Sequence, residues 1–130
     1  MDPKLELVRS WLEKARRDLE SADRLGSGTD PLLDTAVYHC QQAAEKAIKG
    51  WLVFHDKRVE KTHDLRLLVS FAENIDPEFS QLYDAAEVLT PFATLYRYPG
   101  EMLAPQQEEF SQALTSAETF VSFIEGHLDR

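Results

Sequence analysis

The stretch that decides the fold is residues 36–55, which read AVYHCQQAAEKAIKGWLVFH. Its apolar side chains recur at spacings of three and four, which predicts a helix with one buried face. They include Val37, Ala44, Ala47, Ile48, Trp51 and Leu52. Gly50 lies inside the run although glycine is a poor helix former, so we expect a neighbouring helix to approach closely there. Asp30 and Pro31 predict the start of this helix by a cap followed by a proline.

The same helical periodicity flanks this stretch on both sides, and no alternating β-type pattern competes with it. Four further helices are predicted, over residues 2–26, 65–72, 76–96 and 105–128. Pro91 lies inside the third of these four and should kink or restart it, with Thr90 as a new cap. Short connections between long amphipathic helices favour antiparallel neighbours. The sequence therefore predicts an all-α fold, an up-and-down four-helix bundle with a short additional helix, as a single domain over residues 1–130.

The charge is distributed unevenly along the chain, whose net charge is −9. Residues 1–70 carry 12 basic and 12 acidic side chains, whereas residues 71–130 carry 2 basic and 11 acidic ones. A chain with this net field repels phosphates as a whole, which excludes non-specific nucleic-acid binding by overall charge. Any RNA contact would need a local basic patch.

Several other classes of protein and site are excluded by simple features of the sequence. The longest apolar run is too short for a membrane span. The N-terminal residues MDPKLELVRSW carry charges where a signal peptide needs apolar residues, so a cytoplasmic location is expected. Cys40 is the sole cysteine and is expected to be a buried thiol. Only Glu60 and His63 have the Glu-x-x-His spacing of a ferritin-type site, and they lie in a predicted loop, so neither a metal nor another cofactor is expected.

Arg97 is the first candidate for a functional side chain. It lies between Tyr96 and Tyr98 and is the only basic residue between Arg66 and Arg130. A planar guanidinium flanked by aromatic rings suits a phosphate or a carboxylate. The alternative is a structural arginine that ties down the helix end, through the last carbonyls or through an acidic partner.

The second helix carries an ordered row of polar side chains. They are His39, Gln42, Lys46 and Lys49. Such a row is either a solvated face or a surface presented to another chain or to a nucleotide.

Three motifs in order resemble the HEPN domain family. Residues 36–50, AVYHCQQAAEKAIKG, resemble its second-helix signature, in which an aromatic residue precedes two glutamines, Ala, Glu-Lys and a further Lys. Residues 63–65, His-Asp-Leu, resemble the His-x-Leu step of the family into a short helix. Residues 97–99, Arg-Tyr-Pro, resemble its Arg-Tyr-Pro segment after the penultimate long helix. With the helix order, the likeness covers about residues 5–126.

The resemblance implies a bundle of this architecture, a homodimer, and action beside a small nucleotidyltransferase, often as a toxin and its antitoxin. Many HEPN proteins are metal-independent ribonucleases, with an arginine followed after four to six residues by a histidine at the dimer cleft. After Arg97 the corresponding positions hold Met102, Leu103 and Ala104. Because an arginine stays protonated, it cannot replace the missing histidine as a general base. Enzymatic activity is therefore not expected by default.

Three hypotheses follow. The first is a non-catalytic dimeric HEPN protein that binds a nucleotidyltransferase partner, a nucleotide, or both. Its candidate phosphate-binding residues are Arg97, Tyr98, Lys46 and Lys49. The second is an endoribonuclease with a rewired site, in which His39 or His63 acts near Arg97 on RNA. The third is a purely structural oligomeric helical protein.

Overall fold

The computed structural model describes residues 2–99 and 104–128, and within them all regular structure is helical. The α-helices are α1 (Pro3–Leu25), α2 (Leu33–Phe54), α3 (Leu65–Glu73), α4 (Tyr83–Leu89) and α5 (Gln107–Gly126). Two 3₁₀ helices, Pro77–Leu82 and Thr90–Ala93, flank α4. The predicted all-α class is therefore confirmed.

The first two helices form an antiparallel pair whose starts differ in how they are capped. The Asp2 carboxylate accepts a hydrogen bond from the backbone N–H of Lys4 at 2.8 Å and so caps the start of α1. The predicted start of α2 at Asp30–Pro31 is wrong, because α2 begins at Leu33 and has no side-chain cap. The backbone N–H of Leu32 instead donates to the Leu25 carbonyl at 2.8 Å, which ties the connection back onto the end of α1.

Gly50 lies where α2 packs closely against α1. A Cβ at position 50 would lie 2.8 Å from Leu12 Cδ2 and 2.8 Å from Trp11 Cβ. A Cβ atom cannot lie this close to another carbon, so the missing side chain of Gly50 is what allows α2 to pack this closely on α1. The predicted close approach of a neighbouring helix is confirmed.

The predicted helix over residues 76–96 is broken into three pieces. Asp76 caps its start, accepting from the backbone N–H of Glu78 at 3.0 Å. Its first turns are 3₁₀, α4 ends at Leu89, and a second 3₁₀ helix follows. A proline removes a backbone donor and clashes with the preceding turn, so the break before Pro91 follows from the sequence.

Two details of this region differ from prediction. Thr90 does not cap the start of a new helix: its hydroxyl donates to the Ala86 carbonyl at 2.7 Å and accepts from the backbone N–H of Leu65 at 3.2 Å. Thr90 thereby joins α4 to the first turn of α3. The helical segment also stops at Ala93, because Thr94 leaves the helical region with a φ of −128°, and Tyr96 then adopts a left-handed φ of 69°.

The core is formed by the inner faces of all five helices, with α2 at its centre. Among its largest fully buried side chains are Trp51, Phe79, Phe120, Ile48 and Leu89. Cys40 lies in this core, where burial raises the pKa of its thiol to about 12. Within the described segments, none of the helices is both long enough and apolar enough to span a bilayer.

Candidate functional site

The segment after the second 3₁₀ helix carries Arg97 back onto α2. The helix ends at Ala93, and the left-handed backbone at Tyr96 turns the chain just before Arg97. The Arg97 guanidinium carbon lies 3.6 Å from the centroid of the Tyr38 ring. This is the distance of a cation–π stack, in which the face of the guanidinium meets the ring and its N–H edge stays available.

A cleft of about 320 Å³ opens beside this stack, at the first turns of α2. We call it the Arg97 cleft, and its lining residues are Asp34, Thr35, Tyr38, His39, Tyr96 and Arg97. Within residues 2–99 and 104–128, the Arg97 side chain has neither an ion pair nor a hydrogen bond. The structural role considered for Arg97, a tie to helix-end carbonyls or to an acid, is therefore not found among the described residues.

Tyr96 anchors the wall of the cleft that carries Arg97. Its hydroxyl donates to the Glu109 carboxylate at 3.0 Å, which fixes the segment against the first turn of α5. Burial and the hydrogen bond to Glu109 raise the pKa of Tyr96, so its hydroxyl stays protonated near neutral pH. The ring also lies 6.3 Å from that of Phe92, centroid to centroid. Tyr96 therefore positions Arg97 and is not an acid–base group.

His39 is held by a buried carboxylate of α1. Asp18 is only 7% exposed, and its Oδ1 lies 2.8 Å from His39 Nδ1. Its Oδ2 accepts from Lys46 Nζ at 2.7 Å. Because a carboxylate accepts hydrogen bonds, Nδ1 carries the proton and Nε2 is left as the nitrogen that can accept one. The structure thus brings His39 and Arg97 to the same cleft, with the His39 ring oriented by Asp18.

A second polar network surrounds Glu45 and includes His63 and Lys49. Glu45 Oε1 lies 2.8 Å from His63 Nδ1 and accepts from Gln41 Nε2 at 3.0 Å, while Oε2 accepts from Lys49 Nζ at 2.8 Å. Burial alone would raise the pKa of Glu45, but the hydrogen bonds from Lys49, Gln41 and His63 outweigh it and lower that pKa. His63 does not line the Arg97 cleft.

The other predicted phosphate-binding residues are placed differently. Lys49 is 6% exposed and paired with Glu45, so its charge is used inside the fold. Lys46 is paired with Asp18, and Tyr98 is 62% exposed but does not line the cleft. The polar row on α2 is thus largely bonded internally, and of the two alternatives considered for it, the solvated face does not hold for Lys49.

Sequence reasoning missed Asp18 as the partner of His39 and Tyr38 as the ring that stacks on Arg97. Asp18 had a usable signal, because it falls three residues after Ala15 and four before Ala22, on the apolar stripe of α1. An acidic residue on a buried stripe needs partners in the fold. Two of the three positions that would hold the ribonuclease histidine, Met102 and Leu103, lie outside the described residues. Gly100, which follows the Arg-Tyr-Pro segment, also lies outside them.

Comparison with known proteins gives a family match and structural neighbours. The model of the HEPN domain family matches residues 8–127. A crystal structure of a protein from Thermus thermophilus is 33% identical, with a TM-score of 0.76, and the match covers 92% of this chain and 96% of that one. The crystal structure of an archaeal HEPN homologue is 25% identical, with a TM-score of 0.73, over 93% and 97% of the two chains. No curated protein matches the sequence.

Proposed function

This chain belongs to the HEPN domain family, and we propose that it is a dimeric, non-catalytic member that binds the phosphate of a nucleotide in the Arg97 cleft. The observation that carries the proposal is the Arg97 guanidinium, stacked on Tyr38 and without an ion pair among the described residues. The face of a stacked guanidinium is used, while its N–H edge is the fork that binds phosphate oxygens in pairs.

The size and charge of the cleft support a small ligand. Its volume of about 320 Å³ lies at the lower end of the range for small-molecule sites, roughly 300–1,000 Å³. Among the described residues that line it, Arg97 is the only Lys or Arg, whereas an extended RNA strand needs several cations along its backbone. The exposed ring of Tyr98 follows Arg97 directly and offers a surface on which a base could stack.

Calorimetric titration of the full chain with ADP and with inorganic pyrophosphate tests this proposal. Removing a charged hydrogen-bonding partner costs about 1.5–3 kcal/mol, so Arg97→Ala should weaken binding by at least about tenfold. Arg97→Lys keeps the charge without the paired N–H edge and should weaken it as well. The matched control is Arg9→Ala, since Arg9 is an exposed arginine outside the cleft.

The same variant separates a binding role from a structural one. An exposed cation–π contact is worth about 0.5–1 kcal/mol, so Arg97→Ala should lower the melting temperature by only a few degrees. Unchanged ligand binding together with a large loss of stability would favour the third hypothesis, a structural oligomer.

A homodimer and a nucleotidyltransferase partner are part of the proposal. HEPN proteins often dimerise, and exposed apolar side chains lie close in sequence to the cleft-lining residues. They are Leu32 (53% exposed), Leu95 (36%) and Tyr98 (62%). Sedimentation should give a dimer at micromolar protein, and a monomer would refute that part.

A nucleotidyltransferase encoded beside this chain should co-purify with it. If the two proteins are a toxin and its antitoxin, expression of one alone should arrest growth, and co-expression of the other should relieve the arrest. Retention of the partner by wild type but not by a cleft variant would place the contact there. A neighbouring gene of another kind, with no nucleotidyltransferase recovered by pull-down, would refute the partnership. The cytoplasmic location stays a prediction from the N-terminal sequence.

One observation favours the second candidate function, a rewired ribonuclease. His39 lines the Arg97 cleft and is oriented by Asp18, the arrangement that a general base needs. If this reading holds, the chain cleaves single-stranded RNA in the presence of EDTA, and His39→Gln or Arg97→Ala abolishes cleavage while His63→Gln does not. No cleavage by the folded wild type would leave the non-catalytic proposal as the better one.

A further inference from the structure

Three side chains with metal-binding atoms meet where the first 3₁₀ helix faces the end of α5. They are Asp76, Glu78 and His127, and one donor atom from each lies within 4.8 Å of the others. Asp76 and Glu78 belong to the capped start of the Pro77–Leu82 helix, and His127 follows α5 directly. None of them lines the Arg97 cleft, so the site stands independently of the proposed function.

The His127 ring is held in one orientation. Its side chain is 10% exposed, and its ring stacks on Phe123 with centroids 3.9 Å apart. Nδ1 lies 2.8 Å from the Phe123 carbonyl oxygen, and the His127 carbonyl accepts from Trp51 Nε1 at 3.2 Å. A carbonyl oxygen only accepts hydrogen bonds, so Nδ1 carries a proton and Nε2 is the nitrogen directed at the carboxylates. A ring N–H held by a backbone carbonyl is the usual support of a metal-binding histidine.

A proton or a cation has to lie between Nε2 of His127 and the carboxylate that faces it. Glu78 Oε2 lies 2.7 Å from Nε2, and both are acceptors unless a proton or a cation lies between them. The Asp76 carboxylate adds a second negative charge to the same group. A proton on Nε2 makes the ring a cation that pairs with Glu78, whereas a divalent cation in the place of that proton can bind all three side chains.

We propose that Asp76, Glu78 and His127 form a binding site for a divalent transition-metal ion of the Zn²⁺ type. One imidazole and two carboxylates are ligands that Zn²⁺ accepts, and three protein ligands leave a position for water. Ligand atoms at about 2.0–2.1 Å from a tetrahedral ion lie roughly 3.3 Å apart. The observed separations, from 2.7 Å to at most 4.8 Å, bracket that distance, so small side-chain rotations suffice. The Glu78 side chain is 52% exposed, which leaves the site open to ions from solution.

This site was not visible in the sequence, because its residues do not share one helix. Glu78 and His127 are 49 positions apart, whereas a Glu-x-x-His motif joins residues only three positions apart. The sole cysteine does not compete for the ion, since Cys40 is fully buried and its thiol pKa is raised to about 12.

Titration of the metal-free full chain with ZnCl₂, followed by calorimetry, tests the proposal. Wild type should bind one ion per chain, and Glu78→Gln and Asp76→Asn should each weaken binding by at least about tenfold. Glu78 is largely exposed, so its variant should fold even if His127→Gln does not. Glu87→Gln, an exposed glutamate on α4, is the matched control and should bind as wild type does.

Imidazole ¹⁵N spectra supply a second readout that does not depend on affinity. On addition of ZnCl₂ the Nε2 resonance of His127 should shift, while Nδ1 stays protonated. Saturable binding with both signatures supports the site. Absence of saturable binding by the folded wild type, or binding that Glu78→Gln and Asp76→Asn leave unchanged, would overturn it.

Discussion

The buried ion pair between Glu45 and Lys49 gives the sharpest test of how α2 is stabilised. Both side chains are 8% exposed, and Lys49 Nζ lies 2.8 Å from Glu45 Oε2. Lys49→Met keeps much of the apolar stem but removes the ammonium, which leaves the Glu45 carboxylate buried with one charged partner fewer. Breaking a buried pair in this way costs about 3–5 kcal/mol.

The structure places the expected cost at the lower end of that range. Gln41 and His63 still contact the other oxygen of Glu45, so the carboxylate keeps part of its hydrogen bonding. We expect a loss of about 3 kcal/mol and a melting temperature lowered by roughly 10 °C. The pKa of Glu45 should rise in the variant, because its largest stabilising contact is gone.

The assay is urea unfolding of wild type, Lys49→Met, Glu45→Gln and the double variant. Replacing both charges removes the unpaired ion, so the double variant should be more stable than the sum of the single losses predicts. Lys14→Met, at an exposed lysine of α1, is the matched control and should change stability by less than about 0.5 kcal/mol. A loss below about 1 kcal/mol in Lys49→Met, or strictly additive losses, would refute the reasoning.

Three further predictions concern the same helix. Gly50→Ala should lower the free energy of unfolding by about 1 kcal/mol, because overpacking against Trp11 and Leu12 exceeds the gain in helix propensity. The control is Gly126→Ala, whose Cβ would meet nothing within 4 Å, and it should not lower the stability measured by thermal melting. Because the fold lowers the pKa of Glu45, the ionised carboxylate contributes its full stabilisation above the ordinary pKa of 4.5 and loses it as the pH falls through the lowered pKa. The difference in unfolding free energy between wild type and Glu45→Gln should therefore become smaller in acid. A difference that grows below pH 4 would contradict this. Cys40 should resist alkylation in the native chain and react after unfolding, so rapid native labelling at pH 8 would show that the core opens there.

The long helices could be predicted because their signals are local. The apolar stripes, the Asp2 cap and the glycine at position 50 each depend on residues within a few turns. The start of α2 could not be predicted in this way. The hydrogen bond from the backbone N–H of Leu32 to the Leu25 carbonyl fixes the connection between α1 and α2, and it outweighs the cap signal at Asp30.

The candidate site was predicted only in part, for a related reason. Arg97 was singled out from its neighbours, but its stack on Tyr38 depends on the left-handed turn at Tyr96 and on which helix the turn faces. No pattern in the sequence specifies that pairing. The role of Asp18 was accessible, because an acid on an apolar stripe has to find a donor.

The helix break at Pro91 separates the packed helices, which stabilise this protein, from the segment that positions Arg97 at the cleft. The segment from Pro91 to Arg97 lies largely on the surface, with Phe92 as its buried residue. Insertions or substitutions there can change the opening and the direction of the guanidinium, while the packing among α1, α2 and α5 stays intact. Proteins built on this scaffold can therefore diverge in what they recognise at little thermodynamic cost, and ligand preference should vary faster among them than folding stability does.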